Sequence, residues 1–265
     1  MFSSLFLKTL YDRRWFTFGW LLGAIALFVA TAAFYPPIAK SIDELVQSVP
    51  QSLQGVVGDA AAYKTYVGYI GNGAFGSQGM MYLVPLAIIL GVLLGSSDES
   101  SRRLYQLLAQ PISRMSVVWQ KWFSAAVILA IISVVLYGAL VLTSIAINEK
   151  VPYEAMARMV GMSWLFMLAI FTLTYGLVVA FARRSIAIAL PIVWVFVSML
   201  IFTLEPQVKW LKHIDWVSAL TYYNTPRLVD HAIALKDVGV FVGVIIVCLA
   251  LALIIFPRRD IRDSE

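Results

Sequence analysis

Residues 98–121, DESSRRLYQLLAQPISRMSVVWQK, decide how this chain is read. They separate two apolar runs, Gly79–Leu94 and Trp122–Ile147, that contain no Asp, Glu, Lys, Arg or His. Four further runs share that property: Trp15–Phe34, Met159–Ala182, Ile186–Leu204 and Val238–Phe256. At about 1.5 Å rise per helical residue, some 20 residues cross the roughly 30 Å hydrocarbon core of a bilayer. The run at 79 needs Gly95 to Ser97 to complete its crossing. The expectation is an all-α membrane protein, one membrane domain over 1–265, with six spans near 15–34, 79–97, 122–147, 159–182, 186–204 and 238–256. Pro85 and Pro191 fall inside spans, where neighbouring helices can repair the lost amide donor.

Composition points the same way. Of 265 residues, 61% are hydrophobic and 13% charged, against about 45–50% and about 25% in globular chains. The net charge of +5 does not form a nucleic-acid face, because the basic residues gather at the ends of apolar runs. The single cysteine, Cys248, allows no intrachain disulfide and no thiolate metal site. Lys8, Arg13 and Arg14 precede the first run as they would in a signal peptide, but a signal core is about 7–15 residues. The 20 residues of Trp15–Phe34 read instead as a retained span.

The basic residues also set an orientation. With the N-terminus inside, segments 1–14, 98–121, 183–185 and 257–265 hold 12 of the 20 Lys and Arg in 50 residues. The outside segments 35–78, 148–158 and 205–237 hold 8 in 88 residues. The positive-inside rule gives both termini in the cytoplasm. Outside, Ile38, Ile42, Leu45, Val46, Val49 and Leu53 repeat at helical spacing, with Pro50 as a break. The glycine-rich YIGNGAFGSQG, residues 69–79, reads as a turn into the second span. In 205–237, Trp210, Leu211, Ile214 and Val217 or Ser218 form a stripe suited to a helix in the headgroup region. The segments 36–78 and 205–237 are therefore expected to carry interfacial helices.

Several chemistries drop out. No string matches the phosphate-binding Gly-x-x-x-x-Gly-Lys-Ser/Thr; GVLLGSSD, the nearest, lacks the lysine. His213 and His231 have no partner at metal spacing, so no metal site is expected. Proton-coupled carriers keep an ionisable group at membrane depth, and these spans have none, which favours energy entering from outside the membrane. In 98–121, Ser96 and Glu99 have capping-box spacing. Leu104, Leu107 and Leu108 share one helical face, Glu99, Arg102 and Arg103 the other. Pro111 ends that helix and Ser113 can cap the next. An amphipathic helix, a break and a rigid span can take a push from a soluble partner. On spacing alone the segment could equally lie on anionic lipid.

The same segment resembles the link between the second and third spans of type-2 ATP-binding-cassette (ABC) export permeases. Glu99, Leu104, Leu107, Leu108, Pro111, Arg114 and Lys121 occupy the places of that pattern; Arg102 and Arg103 stand where Gly and Thr are more usual. The six-span layout and LTYYNTPRLV, Leu220–Val229, are similar too. The resemblance implies a permease subunit in a prokaryotic plasma (inner) membrane, paired with a second copy or homologue. The chain itself would bind no cofactor, ATP and Mg residing on separate ABC ATPase subunits. It further implies that 98–110 is the coupling helix, that 1–14 is an elbow helix along the membrane, and that the outside helices cap an exit.

Two site expectations remain. Gly19, Gly23, Gly91 and Gly95 form small-xxx-small pairs open to a dimer contact. Phe166, Phe171, Trp194 and Met199 could line a lipophilic cavity for a drug, lipid or peptide. Competing functions are a secondary or facilitative transporter without an ATPase, and a non-transporting assembly or sensor subunit.

Overall fold

A computed structural model describes residues 4–39, 41, 63–100, 113–150, 153–181, 183–205 and 208–258, and among them there is no strand. The chain opens with α1 (Leu5–Asp12), capped by Ser4 Oγ, which accepts from Leu7 N. Then α2 (Arg14–Ala33) begins the first long helix, which reaches Ala39. After residue 62 come α3 (Tyr66–Ile70), a π-helical stretch Gly71–Ser77, and α4 (Gln78–Ser100). The other long helices are α5 (Arg114–Ala146), α6 (Tyr153–Phe181), α7 (Arg184–Leu204) and α10 (Leu235–Ile255). Between the last two lie 3-10 turns at Lys209–His213 and Asp215–Val217 and the short helices α8 (Ala219–Tyr222) and α9 (Thr225–Asp230). Among the described residues, six helices are long and apolar enough to cross a membrane.

The bundle is built around α6, which packs against α4, α5, α7, α9 and α10. Some 72% of its most apolar window is buried, against 22% for α2, α7 and α10. A helix enclosed this way must satisfy its own polar groups. Ser163, Thr172 and Thr174 do so by donating to the carbonyls of Met159, Leu168 and Ile170 at 2.6–2.9 Å. Its tightest neighbour is α4, where glycines admit the approach. A β-carbon at Gly91 would lie 2.8 Å from Thr174 Cβ, and one at Gly95 would lie 2.8 Å from Val178 Cβ.

These distances correct the dimer expectation for both residues: Gly91 and Gly95 face α6 of their own chain. Gly23 likewise sits against the hydroxyl of Tyr82, which donates to Trp20 O, whereas Gly19 has open space beside it. A small-xxx-small pair records that something comes close, not which helix it is.

Two local expectations also change. The glycine-rich 69–79 is helical on either side of a kink at Gly76, whose backbone is not helical (φ −75°, ψ −110°), so the change of direction is confined to that residue. The stretch is helical because it is buried, and burial obliges its amides to bond within the chain. The proposed headgroup stripe at 210–218 divides: Leu211 and Ser218 are buried while Trp210 and Trp216 point outward from 3-10 turns. The segment 42–62, where the other outside helix was expected, lies outside the described residues.

Candidate functional site

The bundle has two distinct ends. At one end lie α1, the last turns of α4, the first turn of α5 and the 3-10 turn Phe256–Arg258, which packs on α5. Basic residues dominate the described sequence here, so we call it the basic end. Arg13, between α1 and α2, donates from Nη2 to Leu93 O at 3.3 Å. Lys121 is buried and donates from Nζ to Leu94 O at 3.0 Å. Two adjacent carbonyls of α4 are thus held from two directions. Phe6 N donates to Gln120 Oε1 (3.2 Å) and Phe6 O accepts from Ser124 Oγ (3.3 Å), fastening α1 along α5. From α6, Tyr175 Oη donates to Val118 O at 3.2 Å. Helices α1, α4, α5 and α6 therefore form one tied frame at the points where the 101–112 segment leaves α4 and enters α5.

Ser113 caps α5 as expected, accepting from Ser116 N at 3.2 Å. Ser96 does not cap a helix. It sits inside α4, which runs unbroken to Ser100, and donates to Val92 O at 2.7 Å. The capping-box spacing fails because the preceding turns never break. Glu99 falls in the last turn of α4 and Arg114 begins α5. Arg102, Arg103, Leu104, Leu107, Leu108 and Pro111 lie outside the described residues.

The far end is a network of hydroxyls and aromatic rings around the π-helical stretch. Thr225 Oγ1 donates to Gly71 O at 2.7 Å, and Tyr223 Oη to Phe75 O at 3.1 Å. Ser163 Oγ lies 2.8 Å from Tyr223 Oη. Complete burial pushes the Tyr223 hydroxyl pKa far above its ordinary value of 10.0, so it stays protonated and able to donate. Asn72 Nδ2 donates to Gly68 O at 3.1 Å. Arg158 ties α6 to α9 through Leu228 O and Val229 O at 3.2 and 3.1 Å. Ser218 Oγ donates to Ser198 O (3.1 Å) and Ser198 Oγ accepts from Ala219 N (2.9 Å), fixing α8 to α7.

Between the ends, α4 and α7 flank a groove of 540 Å³. Met80, Met81, Val84, Pro85, Ile88 and Ile89 line it from α4, and Ile188, Ile192, Val195, Phe196, Met199, Phe202 and Thr203 from α7. Tyr63, Asn72, Tyr223 and Thr225 close it at the far end. Burial raises the Tyr63 hydroxyl pKa above 10.0 as well. Of the four expected cavity residues only Met199 is here. Phe166 is stacked on Tyr223 (4.7 Å between centroids) and Phe171 on Tyr175 (5.4 Å), both inside the core. Trp194 turns its indole N–H to Val217 O at 3.0 Å. The aromatics were read from residue type, but Phe166 and Phe171 lie on the largely buried α6 and pack the interior. The signal that marked the groove was the methionine and isoleucine content of facing spans, which has no periodicity distinguishing groove from lipid. Among the described residues, no three His, Cys, Asp or Glu side chains cluster as a metal site.

Six apolar helices among the described residues, built around one of their number, α6, with a polar frame at each end, define an integral membrane protein. Residues 4–261 match the model of the ABC-2 family transporter protein family, and the chain belongs to that family. It is a permease subunit of an ABC-2 type transporter, the membrane component that works with an ABC ATPase. No curated protein matches the chain.

Proposed function

We propose that this permease forms the translocation path of an ATP-driven exporter and takes its power stroke at the basic end. The observation that carries this reading is the tied frame there. Arg13, Lys121, Gln120 and Tyr175 join α1, α4, α5 and α6 at both ends of the 101–112 segment. A rigid surround is what a docking segment needs if displacement is to reach the spans rather than be lost in local bending. The 98–110 segment docks on the ATPase; Glu99, Arg102, Arg103, Leu104, Leu107, Leu108, Pro111 and Arg114 form or flank its contact. Three buried Leu side chains would contribute on the order of 5 kcal/mol before ordering costs.

In this reading the basic end faces the cytoplasm of a prokaryotic cell, with ATP and Mg bound by the ATPase. The permease acts as a pair with a second copy or homologue, and the α4–α7 groove supplies the substrate-facing wall. The apolar lining suits a lipophilic substrate. Family membership favours this reading over a sensor or an ATPase-free carrier. Purification from the native membrane should bring down a stoichiometric ATPase carrying a phosphate-binding loop, and the reconstituted complex should export only with ATP. Flux driven by a gradient alone, with no ATPase recovered, would contradict it.

A further inference from the structure

Resting on the permease reading, we propose that the α4–α7 groove takes a single-leaflet amphiphile with an uncharged, hydrogen-bonding head and an alkyl tail. Four observations carry this. First, polarity in the groove is confined to one end. Tyr63, Asn72, Thr203 and Thr225 lie at the far end, and towards the basic end the lining becomes Pro85, Ile88, Ile89, Ile188 and Ile192. A ligand matched to that gradient has a polar head separated from an apolar tail.

Second, no Asp, Glu, Lys, Arg or His occurs among the described lining residues. An ionised head would lose water there without gaining a counter-charge, a heavy penalty, whereas a hydroxyl or amide needs only hydrogen bonds. Asn72 can supply one: its Nδ2 is engaged with Gly68 O, and Oδ1 is left to accept from a ligand hydroxyl.

Third, the groove is long enough for one acyl chain together with its head. The α7 lining from Ile188 to Phe202 spans about 21 Å at helical rise. Half of a roughly 30 Å hydrocarbon core is about 15 Å, the depth of one set of acyl chains, and the remainder accommodates a head.

Fourth, the groove opens sideways. Met81 is 82% exposed, Phe196 60% and Ile192 49%, so a tail can slide in from the bilayer without crossing the polar frames. Met80, Met81 and Met199 are unbranched and flexible, suited to following an alkyl chain.

The test uses the full chain in nanodiscs with three radiolabelled probes of one tail: monooleoylglycerol, oleate and oleoylcholine. The neutral probe should bind at least about tenfold more tightly than either charged one. Ile192→Trp and Met199→Trp fill the groove from half-exposed positions that tolerate bulk, and each should weaken monooleoylglycerol binding by about tenfold. Asn72→Leu should erase the preference among heads while tail binding persists. Equal binding of the charged probes would overturn the assignment, as would undiminished binding in both filled variants. So would copy-to-copy disulfide formation by Phe196→Cys in a Cys248→Ser background that monooleoylglycerol does not suppress, since a second copy would then occupy the groove. Recovery of the ATPase with these same variants separates the two readings: intact recovery with failed amphiphile binding sinks only this inference.

Discussion

The two ends of this bundle are held by different chemistry. At the basic end, long cationic and amide side chains reach helix carbonyls: Arg13 to Leu93, Lys121 to Leu94, with Gln120 accepting from Phe6 N. At the far end, short hydroxyls and rings on the 218–225 stretch hold a kinked π-helical segment: Thr225 to Gly71, Tyr223 to Phe75. The first arrangement ties four helices into a frame. The second pins a helix whose bonding pattern can change by one residue, and π-helical turns recur at functional sites. The contrast teaches a division of labour. In the function proposed above, the tied end receives force and the π-helical end rearranges, with the α4–α7 groove between them.

The comparison breaks most completely if α4 is separated from α6, because both ends depend on that contact. Gly91→Leu or Gly95→Leu places a side chain where Thr174 or Val178 already stands. Overpacking of this kind costs about 3 kcal/mol. The thermal unfolding midpoint of the detergent-purified protein should fall markedly, whereas Gly19→Leu, with open space beside it, should leave it unchanged.

A far-end change should be smaller and confined to transport. Tyr223→Phe keeps the stack on Phe166 but leaves Phe75 O without its donor, a loss of about 1–3 kcal/mol. ATPase recovery should be normal and export slowed. The same variant carries a pH signature. The folded-state pKa of Tyr223 is raised above the unfolded value of 10.0, so its stabilisation is complete below 10.0 and disappears as pH rises through the folded value. Alkaline unfolding should therefore weaken in pH dependence in Tyr223→Phe; an unchanged profile would show that Tyr223 does not titrate with unfolding.

At the basic end, Gln120→Ala removes the acceptor for Phe6 N and should cost about 1 kcal/mol. Its distinguishing effect is on coupling: ATP hydrolysis by the complex should persist while export per ATP falls. Smallest of all is Arg227→Ala. Its ion pair with Asp237 spans 3.9 Å and Arg227 is half exposed. Exposed pairs contribute about 0–1 kcal/mol, so unfolding should barely change.

How much of this was legible beforehand follows a physical line. The six spans were, because apolar runs without charge have no other stable environment. Ser113 as the cap of α5 was, because capping depends on a few adjacent residues. What depended on distant neighbours was not. Gly71 reads as a turn residue until Met159 Cε is found 3.0 Å from where its β-carbon would be. Phe166 and Phe171 read as a cavity until both are found fully buried, stacked on Tyr223 and Tyr175. Tyr223 and Thr225 stood within the stretch that resembles export permeases, yet their hydroxyl roles needed partners about 150 residues away. Met199 alone joined the expected and observed linings.

The central claim is that the basic end is where the ATPase docks, through the segment between α4 and α5. Leu107→Asp with Leu108→Asp puts two carboxylates on the apolar face expected of that segment and leaves every described helix contact in place. The protein should insert in the membrane at the normal level and lose ATPase co-purification by at least about tenfold. Full co-purification in that variant would remove the segment from the role and contradict the account.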